Sequence, residues 1–593
     1  MLLIALLALP LVGAIAVALM PRADERGHRH MGMVFSCLTF LVSLGLLAGF
    51  KLKTGGMQFE ASYPWVKSLG INFHVGVDGI SLWLVLLATV LSPIVMLSTY
   101  KAITDRVKEF VVSLLVLEMA MIGALVSLDL FVFYVFYEIM LVPMYLMIGI
   151  WGHGNKIYAA IKFVLYTLVG SLLMLVAIIY VYVTHGQVTG DYTFDYMVLT
   201  QSVWGEPAQL YLFAAFFLAF AIKVPLFPLH TWLPDAHTQA PTAGSVVLAG
   251  VLLKMGTYGI LRFAIPLFPW AAAAYAPYIS GLAVIGIIYG AMVAYAQRDA
   301  KKLVAYSSVS HMGFIVLGMM AMNEAGVEGS IYQMLNHGIS TGGLFLAIGM
   351  LYERRHTHEL DQFGGLWKRM PVFAGIFMVV MLSSAGLPGL NGFIGEFLIM
   401  VGAFTHHQQQ LAADLPLFIW HSRLIASIAA IGVVLGAVYL LHLFQKLMFG
   451  PITQPKNADL QDVSWREIMT FAPLLLLIFV MGIYPKPFLS RMEGSVKLML
   501  KEYKIKFKAS EGHRGKPKRL TALRYRNRYP LWKISAPRPS DKKAAKKRDV
   551  HEKAKRVIKR RRVGMLWPPT PQVDLRRTNT SPVVQPIKVG GAA

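Results

Sequence analysis

Cysteine and charged side chains are both scarce in this chain of 593 residues. The single cysteine, Cys37, excludes a disulfide framework, an iron–sulfur cluster and a cysteine-based zinc site. Charged residues make up only 15% of the sequence, against about 25% in an ordinary soluble domain. With 56% hydrophobic residues and a mean hydropathy of +0.56, the composition excludes both a soluble enzyme and a disordered chain.

Long apolar runs are abundant, and their length matches a bilayer core of about 30 Å. Polar residues, Pro and Gly divide them into fourteen candidate helices. Their predicted limits are 2–20, 31–50, 80–99, 109–127, 129–151, 159–183, 209–227, 242–263, 276–297, 302–321, 328–352, 372–402, 424–447 and 468–490. The first run lacks a basic n-region and a small-residue cleavage site, so we expect a retained span rather than a signal peptide. The sequence therefore predicts an all-α polytopic membrane protein with about 14 transmembrane helices.

The basic residues favour one side of the membrane. Eighteen lysines and arginines fall in or beside the odd-numbered connections between spans, and only five in or beside the even-numbered ones. The positive-inside rule then places the odd-numbered connections in the cytoplasm, or in the matrix of an organelle. Because the number of spans is even, both termini are expected on the non-cytoplasmic side.

Most of the net charge of +25 belongs to the C-terminal segment, 501–593, which holds 28 Lys and Arg against 6 Asp and Glu. This segment has too few apolar residues for a core, and prolines such as Pro537 and Pro568 interrupt any amphipathic stripe. We expect a disordered basic tail whose removal after Leu500 leaves the membrane body intact. The predicted topology puts it outside the cytoplasm, so no nucleic acid is expected as a partner. A gene-model error stays open as an alternative origin of this segment.

Ionisable side chains remain inside seven of the apolar spans. They are Glu118, Glu138, Lys223, Lys254, His311, His337 and Glu396. Each costs roughly 2.5–3.5 kcal/mol near the bilayer centre, and such groups normally face a bundle interior or a wet cavity. Polar contacts that merely hold helices together need only Ser, Thr, Gly or Asn, so a structural role explains the whole set poorly. Carboxylates, ammonium groups and imidazoles together suit a proton relay, whereas the spacing does not favour a metal site.

Two of the spans are interrupted. The seventh contains Pro225 and Pro228 directly after Lys223, and the twelfth contains Gly386-Leu387-Pro388-Gly389 shortly before Glu396. Broken helices five spans apart predict two inverted five-helix repeats with two discontinuous helices, because five is an odd number. The alternative is that Pro and Gly are simply common in membrane helices.

The segment after the first break contains His230, Asp235 and His237. A set of two histidines and a carboxylate could bind zinc or iron, but nothing in the sequence fixes its geometry. A hydrated, hydrogen-bonded turn at the end of the broken helix is the favoured interpretation.

These residues lie in motifs that resemble the antiporter-like subunits of NADH–quinone oxidoreductase (respiratory complex I), of the chain M or subunit 4 type. The resemblance covers about residues 1–495. The matching stretches are Gly76-Val77-Asp78-Gly79-Ile80-Ser81, Phe136-Tyr137-Glu138-Ile139-Met140-Leu141-Val142-Pro143-Met144, Ala221-Ile222-Lys223-Val224-Pro225 through His237, Leu253-Lys254-Met255-Gly256, Ser310-His311-Met312-Gly313, Asn336-His337-Gly338 and Gly395-Glu396-Phe397.

The resemblance implies a proton path along the middle of the membrane, driven by quinone reduction in other subunits. Glu138 and Lys223 would form a charge pair, and Lys254 would be the central relay lysine. His311 and His337 would continue the path to Glu396 on the exit side. Glu118, His230, Asp235 and His237 would be accessory at most. The chain itself would hold no cofactor and no metal, since NADH, flavin, iron–sulfur clusters and quinone belong to other subunits.

The resemblance also implies a domain organisation and partners. We expect three N-terminal helices in 1–108, the two repeats in 109–263 and 276–447, a last helix in 468–490 and the tail in 501–593. The partners would be the lipid bilayer, sister antiporter-like subunits and the hydrophilic subunits, in a bacterial inner membrane or, alternatively, a mitochondrial one. A subunit of a multi-subunit cation/proton antiporter or membrane-bound hydrogenase, and a passive structural subunit, stay open as rival functions.

Overall fold

The structure, a computed structural model, describes residues 1–52, 54–405, 422–511 and 521–522. Within them, thirteen helices are long and apolar enough to cross a membrane. We number them as spans 1–11, 13 and 14. Their bounds are Leu2–Leu19, Glu25–Gly49, Ser81–Ala102, Val107–Val126, Leu130–Trp151, Lys156–Thr189, Glu206–Lys223, Thr242–Leu267, Pro269–Tyr295, Ala300–Met320, Glu324–Arg355, Ser422–Met448 and Trp465–Ile483.

Span 12 is made of two shorter apolar helices, Pro371–Ser384 and Asn391–Phe404. The glycine- and proline-rich segment between them is the break that the sequence predicts. With this pair, the predicted number of about 14 spans and the predicted helical membrane fold are confirmed. The division into two inverted repeats, and the domain limits drawn from it, stay predictions.

The spans differ sharply in how much of their surface the rest of the protein covers. Spans 8 and 11 are buried over their whole apolar windows, and span 10 over 94% of its window. Spans 1, 2, 6 and 13 are buried over 28–39% of theirs, so most of their apolar surface faces outward. Because lipid tails solvate apolar surface as well as protein does, outward-facing Leu and Val cost nothing there. The three central spans are the ones that carry Lys254, His311 and His337.

A β-hairpin, which the sequence analysis did not predict, fills the second connection. Strand β1, Gln58–Val66, pairs antiparallel with strand β2, Ile71–Val77, around a turn at Gly70. The left-handed backbone of Gly70, with φ of 67°, explains the glycine there. The hairpin leads into span 3 through Asp78, whose carboxylate pairs with the guanidinium of Arg262. Arg262 thus lies buried inside span 8, and not in an even-numbered connection as its place in the sequence suggested.

The C-terminal part of the chain requires a correction. Span 14 ends at Ile483, and a second helix, Lys486–Glu511, follows Pro485. This terminal helix includes residues 501–511, which were expected to belong to a disordered tail. Its buried side chains recur every three or four residues, at Met492, Val496, Met499, Tyr503 and Phe507. The stripe escaped notice because charged residues dilute it, so the mean hydropathy of the segment is low although one face is apolar.

Two further contacts anchor the terminal helix and the residues after it. The Ser510 hydroxyl accepts a hydrogen bond of 3.0 Å from the amide of Gln209, at the start of span 7. The short strand β4, Thr521–Ala522, pairs with strand β3, Ser202–Val203, in the sixth connection. The remainder of the predicted tail lies outside the described residues.

Candidate functional site

Lys254 lies at the centre of span 8, between two stretches of π-helix. These stretches, Leu248–Leu252 and Ile260–Ala264, widen the helix on both sides of the lysine. The Lys254 side chain is fully buried, and its ammonium group donates to the main-chain carbonyl of Ala249 in the first stretch. π-Helical turns are rare in proteins as a whole, but they often occur at functional sites, because they release backbone groups from the regular helical hydrogen bonds.

Lys254, His337, His311 and Glu396 form a continuous chain of contacts through the central spans. The ammonium nitrogen of Lys254 lies 2.5 Å from Nδ1 of His337. The rings of His337 and His311 follow, with centroids 5.7 Å apart. Nδ1 of His311 then lies 3.1 Å from Oε1 of Glu396, on the second half of the broken span 12. All four side chains are at most 5% exposed, so the chain of contacts is shielded from bulk water and lipid.

Glu138 and Lys223 lie in a second, separate group on spans 5 and 7. The two side chains interact electrostatically, but they form no direct ion pair in the described part of the chain. The Lys223 ammonium instead lies over two aromatic rings, 5.0 Å from the centroid of Tyr137 and 5.4 Å from that of Phe163. One oxygen of Glu138 and the Lys223 nitrogen are buried without a hydrogen-bond partner within the described ranges. Buried polar atoms are normally hydrogen-bonded to protein or to ordered water, so water is expected to bind these two atoms.

The break in span 7 is stabilised from within the chain. The indole N–H of Trp232 donates to the carbonyl of Ile222 at 2.9 Å, and the amide of Leu226 reaches the carbonyl of Ala221 at 2.9 Å. In a regular helix the amide of Pro225 would donate to the carbonyl of Ala221, but proline has no N–H group. The amide of the next residue, Leu226, donates to this carbonyl instead. After the break the chain forms a short helix, Trp232–Gln239.

The break in span 12 depends on a glycine next to the carboxylate. Gly386 has a φ of 77°, and a Cβ at this position would lie 2.9 Å from Oε2 of Glu396. Any larger residue would be strained and would also press on the carboxylate. The break therefore provides the close approach that lets Glu396 reach His311.

The accessory residues are spread over different surroundings. Glu118, on span 4, is fully buried. It interacts with Cys37 on span 2 and with Ser92 on span 3. Asp235 forms an ion pair of 2.7 Å with Lys162.

The two histidines beside Asp235 have other neighbours. The His230 ring packs against Phe227, and the His237 ring stacks on Phe345 at 4.5 Å. The described residues contain no group of three His, Cys, Asp or Glu side chains that converges on one point.

Three polar partners of this site were not singled out from the sequence. The amide of Gln333 donates to Oε1 of Glu396 at 3.1 Å. The hydroxyl groups of Ser384 and Tyr439 lie 3.4 Å from Nε2 of His311. Gln333, Ser384 and Tyr439 are uncharged, so a search for ionisable residues in apolar runs passes over them. A search for any hydrogen-bonding side chain in the broken and central spans would have found Gln333 and Ser384, but not Tyr439, which lies on span 13.

The comparisons with known proteins agree with this architecture. Residues 127–415 match the family described as NADH:quinone oxidoreductase/Mrp antiporter, transmembrane. NADH-quinone oxidoreductase subunit M of Rhodobacter capsulatus is 44% identical over 508 residues, which cover 84% of this chain and 95% of that protein. The chain belongs to the subunit M family of NADH–quinone oxidoreductase. The resemblance drawn from its motifs is thus confirmed.

Solved structures agree with the assignment to the subunit M family. A chain of respiratory complex I from Thermus thermophilus matches with a TM-score of 0.75 and 32% identity, over 85% of this chain and 100% of that one. A chain of the Mrp complex from Dietzia sp. matches with a TM-score of 0.70 at 19% identity, over 86% of this chain and 56% of that one, and this likeness shows the fold alone.

Membership of the subunit M family settles the coarse role of the chain. It is a multi-pass membrane subunit of an enzyme complex, and its partners include the other subunits of that complex. The outward-facing apolar surfaces of spans 1, 2, 6 and 13 agree with a place in a bilayer beside other membrane subunits.

Proposed function

We propose that this subunit translocates protons through Lys254, His337, His311 and Glu396, with Glu138 and Lys223 acting as a charge pair that controls the first of these groups. The contact of 2.5 Å between Lys254 and His337, followed by that of 3.1 Å between His311 and Glu396, carries the proposal. Imidazoles suit such a chain because each ring can accept a proton on one nitrogen and release one from the other.

The separate position of Glu138 and Lys223 supports a controlling role rather than a step in the chain of contacts. Their charges interact without direct contact, and the buried Lys223 ammonium lies over the rings of Tyr137 and Phe163 instead of against the Glu138 carboxylate. Small movements of Glu138 would therefore change the electrostatic field around Lys223 in span 7. Electron transfer in other subunits would supply the energy through such movements, so the chain needs no flavin, iron–sulfur cluster or quinone of its own.

The orientation belongs to the same proposal. The excess of basic residues in the odd-numbered connections favours a cytoplasmic location for them and a non-cytoplasmic location for both termini. Protons would then be taken up on the side of the odd-numbered connections and released on the other side. A bacterial cell membrane is the favoured location.

The test compares two lysine variants in the assembled complex. Lys254→Ala should abolish NADH-driven proton uptake into inverted membrane vesicles, because it removes the first proton-carrying group and leaves His337 without its partner. Lys506→Ala is the matched control, since this half-buried lysine lies in the terminal helix, away from the proposed relay, and donates to the carbonyl of Pro266 at 3.3 Å. Full pumping by the Lys254 variant in complexes that assemble normally on native gels would contradict the proposal.

A further inference from the structure

The entry to span 5 lies in a joint between the β-hairpin and the sixth connection. The amide of Leu128 donates to the carbonyl of His74, in strand β2, at 2.8 Å. On the opposite side, Asp129 forms an isolated β-bridge with Asp195, in the sixth connection. Main-chain bonds therefore hold this entry to two other segments of the chain.

The carboxylate of Asp129 adds side-chain bonds to the same joint. Its Oδ1 accepts hydrogen bonds from the amides of Phe131 and Val132 at 2.9 and 3.1 Å, which caps the first turn of span 5. Its Oδ2 accepts a bond from the amide of Asn72, in strand β2, at 3.0 Å. Asp129 is fully buried, so bulk water does not compete for these bonds. One side chain thus connects the start of span 5 to the hairpin.

The first part of span 5 is a short helix with Asp129 at one end and Glu138 near the other. This helix, Leu130–Ile139, is followed by a second helix, Leu141–Trp151, which completes the span. Pro143 explains the interruption, because it has no N–H group to donate to the carbonyl at the end of the first helix. The nine positions from Asp129 to Glu138 correspond to about 14 Å along a helix. A shift of the first helix therefore changes the position of Glu138 directly.

The joint contains three further charged or titratable groups. Nδ1 of His74 lies 2.9 Å from a carboxylate oxygen of Asp195, and its Nε2 lies 3.8 Å from one of Glu60, on strand β1. Burial raises the pKa of Asp129 to about 6, with a smaller contribution from the charge of Asp195, although the three amide donors lower it. A protonated carboxyl group accepts fewer hydrogen bonds than a carboxylate. The joint is therefore complete above about pH 6 and weakens as the pH falls through this value.

We propose that Asp129 is a positioning residue for Glu138. Its carboxylate holds the first helix of span 5 against the hairpin and so fixes the distance between the charges of Glu138 and Lys223. These two groups interact without direct contact, and the interaction between two charges changes with their distance. The inference rests on the proposed function and adds to it the group that sets the geometry of the charge pair.

The test uses Asp129→Asn in the complete complex, in inverted membrane vesicles whose lumen corresponds to the non-cytoplasmic side. Asparagine caps a helix about as well as aspartate, so the first turn of span 5 is kept. Its NH2 group cannot accept the bond from the amide of Asn72, so this contact with the hairpin is lost. The joint faces the lumen in the proposed orientation, and the buffer in which the vesicles form sets the lumenal pH.

The matched control is Asp299→Asn. Asp299 caps span 10 in the same way, through bonds from the amides of Lys301 and Lys302 at 2.8 and 2.9 Å, and it also lies in an isolated β-bridge. Within the described residues, its carboxylate accepts no hydrogen bond from another element. Since asparagine keeps this cap, the control should pump at the normal rate.

At neutral lumenal pH, we expect NADH-driven proton uptake by Asp129→Asn to fall roughly tenfold, because a hydrogen bond to a charged group stabilises by about this factor. Below about pH 6 the unchanged protein should lose most of its advantage, since its own Asp129 is then protonated. The ratio of the two rates should therefore fall towards one, a pH profile that a purely structural cap does not produce. The amides of residues 130–139 should also exchange faster in Asp129→Asn, and this measurement does not depend on pumping.

Three results would overturn the positioning role while leaving the charge pair intact, provided that Glu138→Gln abolishes pumping in the same vesicles. The first is normal uptake by Asp129→Asn, and the second is a ratio of rates that is the same at neutral and acid lumenal pH. The third is failure of Asp129→Asn to assemble, since the carboxylate would then be a requirement of the fold. Normal pumping by Glu138→Gln would instead contradict the proposed function itself.

Discussion

The terminal helix allows a quantitative prediction, because two large side chains fix it to the bundle. Tyr503 is 2% exposed and Phe507 is 6% exposed. Burial of each side chain stabilises the docked helix by about 2 kcal/mol. The double variant Tyr503→Ala/Phe507→Ala should therefore weaken docking by about 4 kcal/mol, which is close to a thousandfold shift in the docking equilibrium.

Amide hydrogen exchange in the assembled complex measures this shift directly. An undocked helix of this length is only marginally stable in water, so its amides should exchange much faster in the double variant. The matched control is Lys501→Ala/Lys508→Ala, since both lysines are exposed on the same helix and alanine favours helix. Equal exchange rates over residues 486–511 in the two double variants would refute the assignment of the docking energy to this stripe. The same reasoning replaces the expectation that a chain cut after Leu500 is intact: we now expect that cut to destabilise the complex.

Three further predictions concern the charged groups. Glu138→Gln and Lys223→Ala should each abolish most proton translocation while the complex still assembles, and the exposed Glu109→Gln should not; the membrane potential per NADH oxidised checks this. Asp78→Asn should leave the buried Arg262 without its counter-charge at a cost of roughly 3–5 kcal/mol, seen as a lower melting temperature of the purified complex. Burial lowers the pKa of His74, but the carboxylates of Asp195, at 2.9 Å, and Glu60, at 3.8 Å, outweigh it and raise the pKa to about 9. Since the folded pKa exceeds the unfolded value of 6.5, protonated His74 stabilises the folded protein by up to about 3 kcal/mol. This stabilisation is complete below pH 6.5 and is lost as the pH rises to about 9. We expect the melting temperature of the unchanged protein to fall over this pH range, and that of His74→Ala to lack this fall.

The membrane body could be predicted because one physical signal dominates it. An apolar run of about twenty residues has few alternatives to a spanning helix, and the breaks at Pro225 and Gly386 follow from the chemistry of proline and glycine. The ionisable residues of the proposed relay were visible for the same reason, since each stands out in an apolar run. The structure then joins Lys254, His337, His311 and Glu396 in one chain of contacts.

The parts that escaped prediction depend on contacts between distant segments. The hairpin of β1 and β2 has only two strands, and its position depends on Asp78 meeting Arg262 nearly two hundred residues later. The terminal helix has a low mean hydropathy, so only its pairing with spans 9 and 11 reveals the apolar face. The hydroxyl of Tyr439 on span 13 lies close to His311. No local sequence pattern indicates that a single tyrosine hydroxyl is buried at such a contact.

The two π-helical stretches of span 8 have a consequence for how the chain tolerates changes in its length. Each wide turn contains one residue more than an α-helix needs, and that extra residue rotates everything beyond it by about 100°. The contact between Lys254 and His337 on span 11 thus depends on the number of residues in the first π-helical stretch. Deleting one residue within 248–252 would leave a more regular helix of almost unchanged hydropathy, with its lysine turned away from His337. Within 248–252, a deletion should therefore be tolerated less well than a conservative apolar substitution, because it changes the direction of every side chain beyond it.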